Sequence, residues 1–142
     1  MLREELRQRL AKEYRYAVTK MQEVTQPAKK LYYFSVFFGE AQRVLNWEWD
    51  RDLALIYTVT QHVHTQVNTT MQTPALGLFP IDWTTINEKL TQVASDLAAY
   101  YEKTENADNR EEMYRVLGRL AEIAYVVSGN GSYLHEKGLF KL

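Results

Sequence analysis

The chain has 142 residues, 46% of them hydrophobic and 25% charged, with a net charge of −1. That length fits one domain able to bury its own core, and the near-neutral balance argues against a polyanion binder held by bulk charge. Cysteine is absent, which removes disulfides, thiolate metal sites and a cysteine nucleophile.

The N-terminal MLREELRQRLAKEY lacks the apolar run of a secretory signal, so a cytoplasmic location is expected. From Leu2 to Val24 the apolar positions Leu6, Leu10, Tyr14, Ala17, Met21 and Val24 step by three and four, which predicts a first helix with one buried stripe. Residues 1–30 carry eight Lys or Arg against four Glu, a net +4, and the remainder nine against fourteen, a net −5. Residues 1–25 therefore read as a basic N-terminal helix. Its Arg3, Arg7, Lys12 and Arg15 are the candidates for touching nucleic-acid phosphates. Interleaved Glu4, Glu5 and Glu13 argue against that use.

Thr25-Gln26-Pro27 breaks this helix, and Pro27 suits the first turn of a second one running to Leu45. Two apolar ridges, Leu31-Phe34-Phe38-Ala41-Leu45 and Tyr33-Phe37-Glu40-Val44, predict that it is covered on two sides. Glu40 interrupts the second ridge. Gly39 beside it lowers helix propensity by about 1 kcal/mol relative to Ala, which suggests close approach of another backbone.

A turn at Asn46–Asp50 leads into a third helix ending near Gln72, with Asp50 as its N-cap. From Leu53 to Ile81 no Asp, Glu, Lys or Arg occurs. The stretch is too rich in Thr, Gln, Asn and His to span a bilayer, and β-branched residues give it some strand character. No turn signal interrupts it, however, and it is far longer than a typical strand. The expectation is a central third helix, buried among four neighbours or in a dimer interface, whose Thr hydroxyls bond to carbonyls one turn back.

Thr73-Pro74 ends that helix, and the connection to Ile81 carries Leu76 and Phe79. Asp82 or Thr84 is expected to cap a fourth helix striped by Ile86, Leu90, Val93, Leu97 and Tyr100 or Tyr101, with Thr85 and Glu88 placed for a capping box. After a loop at 105–109 comes a fifth helix, striped by Met113, Val116, Leu117, Leu120, Ala124 and Val127 and stopped at Ser128–Gly131. Residues 132–142, with Leu139 and Phe140, would form a docking tail or arm. The sum is a single all-α domain over 1–142, an antiparallel up-and-down bundle of about five helices.

Motifs that carry chemistry are scarce. His62 and His64 are two apart and project to different sides of one helix, no Glu-x-x-His pair occurs, and glycines do not open a helix as a phosphate cradle would. No metal and no cofactor are expected. Glu48, Asp50 and Asp52 crowd one turn, which helix capping and solvation explain. If the second and third helices form an antiparallel hairpin, Glu40 lies at the level of Thr58 to His62. A polar cluster of Glu40, Gln61 and His62, with Tyr57 or Arg43, then becomes a candidate acid–base or pH-sensitive site, or a buried pair that fixes register.

Three functional readings result. The first is a non-enzymatic helical bundle acting through protein–protein contacts as a homo-oligomer, a homodimer in the simplest case, using the third helix and Leu76, Phe79, Leu139 and Phe140. The second is an enzyme or small-ligand binder centred on Glu40 and His62. The third is a subunit of a nucleic-acid assembly using the N-terminal helix.

Overall fold

In a computed structural model of the chain, residues 2–73, 81–103 and 110–130 are described, 129 and 130 by their backbone alone. The helices are α1 (Glu4–Glu23), α2 (Pro27–Leu45), α3 (Arg51–Gln72), α4 (Trp83–Glu102) and α5 (Arg110–Tyr125), followed by a π-helical turn over Val126–Asn130. Among the described residues there is no strand, and no helix is long and apolar enough to cross a membrane.

Local signals set most of the helix ends. Pro27 sits in the first turn of α2, where its missing N–H is no loss. Asp50 caps α3 by accepting from the Leu53 N–H at 2.9 Å. Asp82 caps α4, accepting from the N–H groups of Thr84 and Thr85. It also takes the Thr85 hydroxyl, at 2.8 Å, so Thr85 is spent as a donor to the cap and does not itself cap the helix. Glu4 and Glu5 lie in the first turn of α1, where the helix dipole favours negative charge. Ser128 to Asn130, expected to stop the fifth helix, instead carries the chain through the π-helical turn.

The helices alternate in direction. The Tyr14 and Phe37 rings stack between α1 and α2, and Phe38 meets His64 between α2 and α3 at 5.2 Å between ring centroids. Arg15 reaches Ser95 and Glu102 on α4, while Arg119 of α5 pairs with Asp96 of α4. Each of these pairs joins antiparallel helices. Asp52 pairs with Arg110 at 3.1 Å, which puts the starts of α3 and α5 side by side and makes those two helices parallel. Contacts between α2 and α4 run through the middle; α1 packs against both of them, and α3 and α5 close the far side. The core is continuous from Leu10 and Tyr14 through Phe34 and Phe37 to Leu90, Leu97, Met113 and Leu120.

One expectation about the layout is overturned. The uncharged third helix is not the central one. It packs principally on α2 and α5 and buries a single stripe, Leu53, Ile56, Thr60, Val63, Val67 and Thr70. Leu55, Thr58, Gln61, His62, Thr65 and Thr69 are exposed. Thr, Gln and His hydrate well without formal charge, so lack of charge did not require burial. The hydroxyl bonding did follow expectation: Thr60 donates to the Ile56 carbonyl at 2.6 Å and Thr58 to that of Ala54 at 3.0 Å.

Gly39 likewise has no neighbour to explain it, because a Cβ built there meets nothing within 4 Å. Replacing Gly39 by Ala is therefore expected to stabilise the fold by about 0.5–1 kcal/mol through helix propensity. Urea denaturation checks this, and an unchanged or lower midpoint would show that the position is constrained.

Candidate interaction surface

Glu40 is 4% exposed, and its ridge faces α1. Arg9 of α1 donates to one carboxylate oxygen at 3.1 Å, and Arg43, one turn along α2, donates to the other. Nearby, the fully buried Tyr14 hydroxyl donates to the Phe37 carbonyl at 2.9 Å. Of the residues expected around Glu40, Arg43 is the one that donates to it. Gln61 and His62 are exposed on α3 and Tyr57 is half-buried there, and the place expected for Gln61 or His62 is taken by Arg9. Hairpin register fixed the level of Glu40 along α3 correctly, as Phe38 against His64 shows. Register does not fix rotation about the helix axis, and Glu40 turns toward α1.

Partners likewise take up three of the four arginine and lysine candidates for nucleic acid. Arg3 pairs with Glu48 at 2.8 Å. Arg7 binds Glu4 and donates to the Tyr101 and Lys103 carbonyls at the end of α4. Arg15 pairs with Glu102, and Lys12 is exposed. These bonds fasten α1 to its neighbours, which argues against a phosphate-binding stripe. Of the crowded carboxylates, Glu48 holds Arg3, Asp50 caps α3 and Asp52 holds Arg110. Among the described residues no group of three or more His, Asp or Glu could hold a metal ion.

The feature with the character of a contact surface is a groove between α3 and α5. Its volume is about 290 Å³, and it is lined by Thr58, Val59, His62 and Val63 from α3 and by Ala121, Ala124 and Tyr125 from α5. Both walls lack formal charge. On α5 the outer line continues through Tyr114, 44% exposed, Gly118 and Ala121 to Tyr125, 46% exposed. Leu55 is exposed on the α3 side. The larger depression along α4, about 520 Å³, is different in kind: Gln22, Glu88, Lys89 and Gln92 line it, and water suits it. Trp47 and Trp49, 75% and 73% exposed at the α2–α3 turn, add further apolar surface.

The α5 wall was missed in the sequence because only the buried stripe of that helix was traced. Its spacing, Tyr114, Gly118, Ala121, Tyr125, was visible as a second uncharged line. Leu76, Phe79, Leu139 and Phe140, the partner-binding residues expected from sequence, lie outside the described residues.

A different side of α3, the one that meets α2, carries a titrating group. His64, half-buried against the Phe38 ring, has its pKa lowered by desolvation. The fold favours the neutral imidazole, so its contribution is intact above about pH 6.5, the ordinary histidine value, and is lost as pH falls below it. Thermal melts of the wild type and of His64→Gln at pH 7.5 and pH 5 should show the larger acid-side loss in the wild type. Equal losses would contradict this.

No family model matches the chain, and no curated protein or solved structure matches it.

Proposed function

We propose that this chain is a non-enzymatic helical-bundle protein acting through protein–protein contacts, made on the uncharged face that α3 and α5 share. The observation that carries the reading is the groove itself: an apolar cleft with the exposed Tyr125 on its α5 wall and no Asp, Glu, Lys or Arg on either wall. Exposed aromatic residues around a recessed apolar floor are typical of the anchoring centre of an interface. An acid–base site around Glu40 and His62 has no comparable support, since one turns toward α1 and the other lines the groove toward α5.

A photo-crosslinking amino acid replacing Ala121 in the full chain, expressed in cells, tests the reading. It should give a crosslinked polypeptide product, and the same group replacing Gln92, exposed on α4, should not. No product from position 121, or equal products from both, overturns it.

A further inference from the structure

We infer that the occupant of this face is a second copy of the chain, its α5 lying antiparallel to the first about a two-fold axis. This rests on the reading of the α3/α5 face as a contact surface.

An isologous contact sets residue i of one copy against residue j of the other, and j against i. The outer line of α5 suits that requirement. Tyr114 lies as far before the midpoint between Gly118 and Ala121 as Tyr125 lies after it. Antiparallel pairing about that midpoint places Tyr114 of each copy against Tyr125 of the other, and Gly118 against Ala121. Small residues then meet at the centre, where a Cβ added to Gly118 would find nothing within 4 Å in its own chain. Backbones can approach closely there, with an aromatic pair at each end.

Charge supplies an independent argument. On the flank of α5 away from α3 stand Arg115, 3.8 Å from Glu111 of its own helix, and Glu122, both exposed. They lie on opposite sides of the same midpoint and about 3 Å from an exact match in level, within reach of these long side chains. Antiparallel pairing sets Arg115 of each copy beside Glu122 of the other, twice over. On the other flank, Leu55, Thr58 and His62 of α3 present no formal charge, so two identical faces meet there without self-repulsion. A partner of different sequence would need none of this symmetry.

Since the native sequence has no cysteine, the register can be read directly. Full-length Tyr114→Cys and Tyr125→Cys chains are prepared separately, then mixed and oxidised. The mixture should give a disulfide-linked dimer containing one chain of each. Either variant alone should give at least ten-fold less, because two copies of Tyr114 lie about 16 Å apart along the helices in this arrangement. In sedimentation, the wild type should be a dimer, and Arg115→Glu and Glu122→Arg should each weaken it about five-fold or more. The double exchange should restore it.

A wild-type monomer overturns the inference. So does crosslinking of either cysteine variant with itself as efficiently as in the mixture. Failure of this inference alone is recognisable by mass: an Ala121 photo-crosslink to a chain of another size than 16.7 kDa leaves the contact face standing and removes the second copy. No photo-crosslink at all removes both.

Discussion

Replacing Tyr14 with Ala is expected to lower the stability of the fold by about 3–5 kcal/mol, the usual cost of truncating a buried aromatic. Tyr14 is fully buried where α1, α2 and α4 meet. Its ring lies 4.4 Å from Phe37 and 5.6 Å, edge-on, from Tyr101. Truncation opens a cavity at the junction of three helices, and none of them can close it without breaking its other contacts. Tyr14→Phe keeps the ring and loses the bond to the Phe37 carbonyl, so about 1–3 kcal/mol is expected. Chemical denaturation measures both, and a loss below about 1 kcal/mol for the alanine variant would contradict the packing described.

The same ring predicts an alkaline limit. Burial, and secondarily the charge of Glu40, raises the Tyr14 pKa, and burial raises that of Tyr101 well above the usual value. In the unfolded chain these hydroxyls release their protons near pH 10. Their contribution is thus intact below about pH 10 and declines above it, by about 1.4 kcal/mol per pH unit for each tyrosine. Tyr14→Phe should flatten that decline.

The second large effect is at Glu40. Glu40→Lys would place an ammonium between Arg9 and Arg43 in a position 4% exposed. An uncompensated buried charge costs about 3–5 kcal/mol, so the variant should be mostly unfolded or strongly destabilised. Glu40→Met should cost far less, about 1 kcal/mol or under, because it fills the space and the two arginines, half-exposed or more, can return to water. Denaturation midpoints of the two variants check the contrast. Equal and severe losses would mean that the carboxylate itself is indispensable, and equal mild losses that position 40 is not buried.

The sequence made the bundle legible because its helix ends carry local chemistry. Pro27, Asp50 and Asp82 each solve the problem of unpaired backbone groups at a helix start, and that solution is written in one or two residues. The hairpin register was legible as well, since the length of the turn at Asn46–Asp50 sets which levels of α2 and α3 coincide. Rotation about each axis was not. Glu40 interrupts a ridge that faces α1, and only three-dimensional packing decides which neighbour a ridge meets. The misplacement of α3 has a related cause. Its Thr, Gln and His residues look like a buried set because they are uncharged, yet they are equally compatible with water or with a neutral partner. The α5 wall stayed hidden because the buried stripe of that helix alone predicts its packing, and the second uncharged line gains meaning only with α3 beside it.

Whether this face is covered in solution is read most directly by hydroxyl-radical footprinting of the full chain over a dilution series. Protection of Tyr114 and Tyr125 should rise with protein concentration, while Tyr16 and Tyr32, exposed on α1 and α2, react equally throughout. Equal reactivity of all four tyrosines at every concentration would contradict a self-association through α3 and α5.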